Sequence, residues 1–157
     1  MRIGQGFDVH QLIPGTGLPL GGVFIPCDYA VVAHSDGDVL LHAIMDALLG
    51  AVALGDIGAH FPDDDPAYAG CDSSDLMRRV IDLVAEHGYQ VANIDTCVIA
   101  QVPKVGPHRG AIQARVAELL KVEPNAVSIK ATTTETLGFT GRKEGIAVQV
   151  SVLLERC

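Results

Sequence analysis

The chain has 157 residues, 48% hydrophobic and 19% charged, which predicts one folded domain over residues 1–157 and excludes a disordered chain. Its formal net charge of −8 argues against a nucleic-acid partner, because phosphate backbones select basic surfaces. The four cysteines do not have the spacing of a zinc-binding or redox-active motif. We find no secretory signal segment at the start of the sequence, and no apolar run is long enough for a membrane span. We therefore expect a cytoplasmic protein with free thiols and no membrane partner.

The first predicted elements are a strand over residues 2–10 and a hairpin over residues 18–26. The strand follows from an alternating pattern of side chains. Asp8 and His10 are two residues apart, so on a strand both side chains point to the same face. The hairpin is indicated by Gly21-Gly22, which lies between two apolar runs.

The next predicted element is a helix over residues 39–54 that is apolar on nearly all sides, which predicts that it is buried. Its two polar side chains are His42 and Asp46, and their four-residue spacing puts them on one face. A buried imidazole and a buried carboxylate each need a partner, by hydrogen bond, ion pair or metal. Residues 56–71 are predicted to form a loop that is long enough to suggest a function.

The second half of the chain alternates between strands and helices. The predicted elements are a helix over 73–87, a strand over 90–101, a helix over 107–121 and strands over 127–133 and 145–154. The strand, helix and strand over residues 90–133 form a βαβ unit, whose crossover we expect to be right-handed. The fold class is therefore α+β, a mixed β-sheet with helices packed on one face and ferredoxin-like βαβ elements.

Asp8, His10 and His42 form the first candidate site. Three nitrogen and oxygen ligands with one position left open is the arrangement of catalytic zinc sites. The alternative from the residues alone is a core histidine hydrogen-bonded to a carboxylate, and the spacing does not decide between the two. Asp46, one helical turn from His42, would then orient the imidazole or serve as a further ligand.

The segment before the buried helix is a candidate phosphate site. Helix N-termini offer free N–H groups and a positive dipole end, which suit an anion. His34 and Ser35 lie just ahead of the helix and are the candidates for phosphate contact. For Asp36 and Asp38 we expect the simpler role of capping the helix.

A run of hydroxyl groups after the strand at 127–133 is a second candidate. Residues 132–134 are threonines followed by Glu135, and this combination suits a diphosphate with a divalent cation. A Thr-x-x-Glu turn explains the same pattern without any ligand. Lys104 in a proline-flanked loop and the acidic run 63–65 indicate nothing by themselves.

Five motifs closely resemble those of the 2-C-methyl-D-erythritol 2,4-cyclodiphosphate synthases, in order and spacing, over nearly the whole chain. They are Arg2-x-Gly-x-Gly-Phe-Asp8-Val-His10, His34-Ser-Asp-Gly-Asp-Val-Leu-Leu-His42, Gly-Asp56-Ile-Gly58 with Phe61-Pro-Asp-Asp-Asp65, Lys130-Ala-Thr-Thr-Thr-Glu135 and Gly138-Phe-Thr-Gly-Arg142. The resemblance implies a cyclising phosphorus–oxygen lyase of isoprenoid biosynthesis in the bacterial cytoplasm. Such an enzyme converts 4-diphosphocytidyl-2-C-methyl-D-erythritol 2-phosphate into the cyclic diphosphate and CMP, with the 2-phosphate attacking the β-phosphorus.

The resemblance also implies a role for each motif. It gives Asp8, His10 and His42 as ligands of Zn²⁺, Glu135 as a ligand of a second ion, Mg²⁺ or Mn²⁺, and His34 and Thr133 as stabilisers of the transition state. The implied substrate contacts are Asp8, His10, His34, Ser35, Asp56, Ile57, Gly58, Phe61, Pro62, Asp63, Asp64, Asp65, Ala100, Gln101, Val102, Pro103, Lys104, Val105, Gly106, Thr132, Thr133, Thr134, Glu135, Phe139 and Arg142. Within this set, the resemblance implies that Asp56 and Gly58 hold the ribose and that residues 61–65 contact the methylerythritol. Residues 100–106 and Thr132 would contact the cytidine.

The resemblance further implies a homotrimer with active sites between subunits. The loops around Lys104 and Thr132 would then face a neighbour's metal site, and Phe139 and Arg142 would hold an isoprenoid diphosphate in a central cavity. Two other functions stay open. One is a zinc-dependent phosphohydrolase with the same triad, and the other is a non-catalytic nucleotide or isoprenoid-diphosphate sensor whose metal has Asp46 as a fourth ligand.

Overall fold

The computed structural model describes residues 1–62 and 70–157 and has a five-stranded sheet at its centre. The strands are β1 (Arg2–Pro14), β2 (Leu18–Leu20), β3 (Val23–Ile25), β4 (Tyr29–Val32), β5 (Tyr89–Ile99), β6 (Val127–Thr132) and β7 (Gly145–Arg156). The helices are α1 (Val39–Ala51), α2 (Ile57–His60), α3 (Ser73–Glu86), α4 (Arg109–Leu120) and α5 (Gly138–Gly141). Within the described ranges, no helix is long and apolar enough to cross a membrane.

The central sheet is mixed and has the order β4-β1-β7-β5-β6. β1 pairs antiparallel with both β4 and β7, and β5 pairs antiparallel with β7. β5 and β6 are neighbours and run parallel, with α4 between them in the chain, so the predicted βαβ unit is confirmed. β2 and β3 form the predicted hairpin as a separate two-stranded sheet.

The long helices cover one face of this sheet. On β1, the even-numbered residues face α1, and a Cβ atom on Gly6 would lie only 1.9 Å from the backbone oxygen of Ala43. Gly4 is placed in the same way one turn further along, so glycine lets the strand and helix backbones touch. Ile3 and Phe7 point to the other face and are 79% and 58% exposed. The prediction of a mixed sheet with helices on one face is confirmed.

Helix α1 is buried on nearly every side, as its apolar pattern predicts. The carboxylate of Asp38 caps its first turn by accepting a hydrogen bond from the N–H of Leu41 at 3.0 Å. This fully buried carboxylate also accepts hydrogen bonds from the N–H of Gly21 at 2.9 Å and of Gly22 at 2.7 Å. One side chain therefore both starts the helix and holds the hairpin turn against it.

Three short elements were not predicted from the sequence. β4 pairs with residues 11–14 of β1, which extends beyond its predicted end at His10. α2 lies within the predicted loop at 56–71, and α5 lies between the predicted strands at 127–133 and 145–154. Each element has four residues, which is too short for a periodic pattern to reveal. Helix α1 also ends before residue 54, because Ala53 adopts a left-handed φ of 60°.

Candidate metal centre

Three side chains from β1 and α1 converge on one point. Asp8 and His10 continue the face of β1 that Gly6 turns toward α1, and His42 lies in the first turn of that helix. Oδ2 of Asp8 lies 2.9 Å from Nε2 of His10 and 3.3 Å from Nδ1 of His42. The two imidazole nitrogens are 3.1 Å apart. The sequence predicted this group, and the structure brings its three members together.

The spacing of the three donor atoms fits a small divalent cation. Zinc binds imidazole nitrogen and carboxylate oxygen at about 2.0–2.2 Å in a tetrahedron, so its donors are about 3.3 Å from one another. The separations in this triangle, 2.9, 3.1 and 3.3 Å, lie at or slightly below that value. Lone pairs this close repel one another unless a proton or a metal ion lies between them. The residues present therefore fit the metal that the sequence suggested.

The electrostatics of the triangle favour an ionised carboxylate beside a protonated imidazole. Burial by itself raises the pKa of Asp8, but hydrogen bonds and positive charge from His10 and His42 outweigh it and hold that pKa well below 3.8. Burial by itself lowers the pKa of His10, but the hydrogen bond and negative charge of Asp8 raise it above 6.5. A divalent cation and a proton therefore compete for the same groups.

Each imidazole has a second partner on the side away from the triangle. Nε2 of His42 lies 2.9 Å from Oγ of Ser73 and 3.3 Å from Oγ of Ser35. His10 makes a hydrogen bond with the backbone of Val32, the last residue of β4. These contacts fix the ring orientations, which is the usual task of groups behind metal-binding histidines.

Asp46 makes a hydrogen bond to the start of α2, and it is not a member of the triangle of donors. Its Oδ1 accepts a hydrogen bond from the backbone N–H of Ile57 at 2.8 Å, so the carboxylate holds the start of α2. Among the described residues, the hydrogen-bond and ion-pair partners of the His42 ring are Ser35, Ser73 and the rest of the triangle. Burial raises the pKa of Asp46, and the nearby carboxylates of Asp56 and Asp8 raise it further, while the hydrogen bond from Ile57 and the charge of His42 act to lower it. No hydrogen bond joins Asp46 to His42 in the described part of the chain, so the orienting role of Asp46 stays a prediction.

A pocket of about 360 Å³ opens beside the triangle. Its wall is formed by the middle of β1, the end of β4 with the loop after it, and residues of α1, α2 and α3. The lining residues that the sequence singled out are Asp8, His10, His34, Ser35, His42, Ile57, Gly58 and Phe61. Five separate stretches of the chain thus meet at one cavity, with the candidate metal ligands on its wall.

The family model of the YgbB family matches residues 1–155 of this chain. The chain belongs to the YgbB family. A protein of Marinobacter nauticus named 2-C-methyl-D-erythritol 2,4-cyclodiphosphate synthase is 62% identical over 99% of this chain and 98% of its own length. The structure of the bifunctional IspDF from Campylobacter jejuni superposes with a TM-score of 0.95 at 46% identity, covering 99% of this chain and 42% of that one. A CDP complex of IspF from Plasmodium falciparum superposes with a TM-score of 0.87 at 36% identity, covering 99% of this chain and 96% of that chain.

A second group of predicted site residues lies on another part of this YgbB chain. The segments 100–106 and 132–135 adjoin, because the N–H of Ala100 donates to the carbonyl of Thr132 at 3.0 Å. Among the described residues, those lining the pocket beside the triangle include none from these two segments. Val102, Pro103 and Lys104 instead line a separate cavity of about 330 Å³ near β3 and β4. Within one subunit, the predicted cytidine segment 100–106 and the threonine segment 132–135 therefore do not line the pocket of the metal donors, whereas His34 and Ser35 do.

The threonine-rich segment continues into an unusual turn. Glu135 and Thr136 both have left-handed backbone conformations, with φ of 53° and 68°. Oγ1 of Thr133 lies 3.3 Å from the backbone nitrogen of Glu135 and 3.4 Å from its Oε1. A Cβ atom on Gly141 would lie 2.1 Å from the carbonyl carbon of Thr136, so glycine is required where α5 packs under the turn. Non-glycine residues held in this conformation occur preferentially at functional sites.

The segment predicted to contact the ribose and the methylerythritol is described in part. Asp56 caps α2 by accepting a hydrogen bond from the N–H of Ala59 at 3.0 Å, while Gly58 lines the pocket. Pro62 follows Phe61 and is half-buried. The predicted contacts Asp63, Asp64 and Asp65 lie outside the described residues.

Phe139 and Arg142 lie in and just after α5, beside the start of β7. Phe139 is 41% exposed, and its ring would meet a Cβ atom on Gly145 at 3.0 Å. The guanidinium of Arg142 donates to both carboxylate oxygens of Glu144, at 2.9 and 3.1 Å. In the single subunit this pair is on the surface, apart from the pocket beside the triangle.

Sequence reasoning missed the contact between Ser73 and His42. It also gave Asp36 only a capping role, whereas Asp38 caps α1 and the carboxylate of Asp36 accepts from both the hydroxyl and the N–H of Ser73. Ser73 and His42 are 31 residues apart, and no local pattern joins them. The only sequence feature that could have indicated this contact is the pair Ser73-Ser74 at the start of a predicted helix. Serines are common at the N-terminus of any helix, so the pair does not distinguish a partner of His42 from an ordinary helix start.

Proposed function

We propose that this chain is a 2-C-methyl-D-erythritol 2,4-cyclodiphosphate synthase and that residues 1–157 form one catalytic domain. The observation that carries this proposal is the convergence of Asp8, His10 and His42 on the wall of a pocket in a chain of the YgbB family. The name of the 62% identical Marinobacter nauticus protein supports the same activity.

The reaction exchanges one phosphorus–oxygen bond for another. An oxygen of the 2-phosphate bonds to the β-phosphorus, the bond from the β-phosphorus to the bridging oxygen breaks, and CMP leaves with that oxygen. Because the nucleophile belongs to the substrate, the protein has to position the two phosphates and neutralise their charge. A site built from metal ligands, hydroxyls and histidines meets that requirement.

Asp8, His10 and His42 would hold Zn²⁺, and Glu135 would hold Mg²⁺ or Mn²⁺. When bound, these ions supply positive charge that polarises the phosphates. His34 and Ser35, at the start of the loop before α1, would contact the diphosphate from the pocket wall that they already form. Thr133 would donate its hydroxyl to the reacting phosphate. Asp56 and Gly58 would hold the ribose, beside the pocket and on its wall respectively.

The active site would lie between subunits of a homotrimer. The segments 100–106 and 132–135 do not face the metal donors of their own chain, so a neighbour's segments would complete the pocket. The uncovered face of the sheet supports assembly, because Ile3, Phe7 and Val9 are 79%, 58% and 41% exposed there. In such a trimer, α5 with Arg142 would be placed to hold an isoprenoid diphosphate near the axis.

The proposed reaction is tested by phosphorus NMR of the protein incubated with 4-diphosphocytidyl-2-C-methyl-D-erythritol 2-phosphate, Zn²⁺ and Mg²⁺. We expect CMP and a mutually coupled pair of diphosphate resonances from a cyclic product, both absent for His42→Ala. Inorganic phosphate or an open-chain product would mean that the chain is the alternative phosphohydrolase. Absence of turnover despite bound zinc would favour the sensor.

The intersubunit site is tested by mixing two inactive variants. His42→Ala removes a metal ligand, and Thr133→Val removes a hydroxyl from the segment that a neighbour would contribute. Mixed trimers of the two variants contain some sites assembled from intact halves, so we expect activity to return after subunit exchange. If each site is complete within one chain, the mixture stays inactive.

A further inference from the structure

A chain of buried hydrogen bonds leads away from the metal centre through Ser73, which has no part in the proposed phosphate chemistry. Nε2 of His42 lies 2.9 Å from Oγ of Ser73. The hydroxyl of Ser73 donates to Oδ1 of Asp36, and its backbone N–H donates to Oδ2 of the same carboxylate at 2.9 Å. The Ser73 side chain is fully buried, so water does not replace these contacts.

The direction of each hydrogen bond in this series follows from which groups can donate a proton. An ionised carboxylate only accepts hydrogen bonds, so the single proton of the Ser73 hydroxyl points to Asp36. Oγ of Ser73 can then only accept from His42, and Nε2 of that ring must carry its proton. In the neutral ring the lone pair is then on Nδ1, which lies 3.1 Å from Nε2 of His10 and 3.3 Å from Oδ2 of Asp8. A proton on this nitrogen, as in the hydrogen bond to Asp8, is displaced when a metal ion binds.

We propose that Ser73 and Asp36 are positioning residues that fix His42 as the Nε2–H tautomer and so present its Nδ1 lone pair to the metal. This inference rests on the proposed function, in which the triangle of donors holds zinc. Without the hydrogen bonds through Ser73 and Asp36, a neutral His42 could carry its proton on Nδ1. A protonated nitrogen cannot bind a metal ion.

The surroundings of Asp36 support its role as a fixed acceptor. Its Oδ1 also accepts a hydrogen bond from the backbone N–H of Asp38 at 3.1 Å, so the carboxylate is held by the loop and by the first turn of α3. Ser35 is the competing partner of the His42 ring, but it is further away at 3.3 Å. Its Oγ also accepts from the N–H of Gly37 at 3.3 Å. The shorter contact to Ser73 therefore dominates the orientation of the ring.

The test compares Ser73→Ala with two controls, Ser73→Thr and Ser74→Ala. The first control keeps a hydroxyl at the same position, and the second removes a buried hydroxyl from the next residue of the same helical turn. Zinc affinity is measured by competition with a chromophoric chelator. The tautomer of His42 is measured in metal-free protein with ¹⁵N-labelled histidine, by two-bond proton–nitrogen NMR at a pH where the ring is neutral.

For Ser73→Ala we expect zinc binding to weaken by roughly 10- to 100-fold, the usual effect of removing a partner behind a metal-binding histidine. We also expect the Nε2–H signature of His42 to be lost or mixed with that of the Nδ1–H form. Ser73→Thr and Ser74→Ala should keep both the affinity and the signature of the unmodified protein. Unchanged affinity and tautomer in Ser73→Ala would overturn the proposal.

A second variant guards against failure of Ser73→Ala to fold. Asp36→Asn replaces one carboxylate oxygen by an N–H donor, so the side chain can no longer accept both hydrogen bonds from Ser73. We expect the same loss of zinc affinity and of the fixed tautomer, and their persistence would also overturn the proposal. If the unmodified protein binds no zinc, the proposed function fails, while the tautomer of His42 still shows whether the hydrogen-bond chain acts as described.

Discussion

The contact between β1 and α1 makes Gly6→Ala the most informative single substitution. The new Cβ atom would lie 1.9 Å from the backbone oxygen of Ala43, whereas ordinary contacts begin at 3.4 Å. Strand and helix backbones would therefore have to separate by about 1.5 Å, since a backbone carbonyl cannot rotate away as a flexible side chain can. Overpacking of this kind costs about 1–3 kcal/mol or more, and we expect about 3 kcal/mol here.

The same displacement would damage the metal centre. Asp8 and His10 are on the strand and His42 is on the helix, so separating the two elements widens the triangle of donors. Metal–ligand distances tolerate only about 0.2 Å of error, far less than the required shift. We therefore expect zinc affinity to fall by at least about tenfold, the effect that weaker disturbances of ligand orientation already produce.

The assay combines denaturant unfolding of the metal-free protein with zinc titration. Gly50→Ala is the matched control, because this residue lies on α1 with open space around its Cβ position. That substitution should stabilise the helix by about 0.5–1 kcal/mol and leave zinc binding unchanged. If Gly6→Ala had the stability and zinc affinity of the unmodified protein, the described contact of α1 with β1 would be wrong.

Three further predictions concern other parts of the chain. Asp38→Ala leaves three N–H donors without their acceptor, two of them in buried hydrogen bonds, and should lower the free energy of unfolding by about 3 kcal/mol in denaturant titrations. Asp38→Asn should give a smaller loss. In the metal-free protein, the lowered pKa of Asp8 gives stability that is lost as the pH falls below 3.8, and the raised pKa of His10 gives stability that is lost as the pH rises above 6.5. The midpoint of thermal unfolding should therefore peak between these values, and Asp8→Asn should flatten the profile. Glu135→Gln should lower turnover and raise the Mg²⁺ concentration that is needed, while zinc affinity in the chelator assay stays unchanged.

The metal centre could be predicted from the sequence because its geometry follows from local periodicity. Asp8 and His10 share a strand face because side chains alternate along a strand. His42 was one of two polar residues in a helix that was predicted to be buried. Once the strand packs against the helix, the side chains of Asp8, His10 and His42 are brought close to one another. The same reasoning predicted the hairpin, the βαβ unit and the α+β class.

The groups behind the ligands could not be predicted in the same way. Spacing along the helix suggested Asp46 as the partner of His42, but the helix shows only which residues share a face, and the contact went to Ser73 on another helix. The short elements β4 and α2 were missed because four residues carry no period. The proposed contacts between subunits likewise cannot be derived from periodic patterns within one chain.

The most direct test of the whole account is anomalous diffraction at the zinc absorption edge, from crystals grown with Zn²⁺ and CDP. We expect a peak bonded by Oδ2 of Asp8, Nε2 of His10 and Nδ1 of His42 at about 2.0–2.2 Å, with an oxygen of the diphosphate as the fourth ligand. The cytidine should contact residues 100–106 of a neighbouring subunit. A peak at another place, or a shell closed by a fourth protein side chain, would contradict the account.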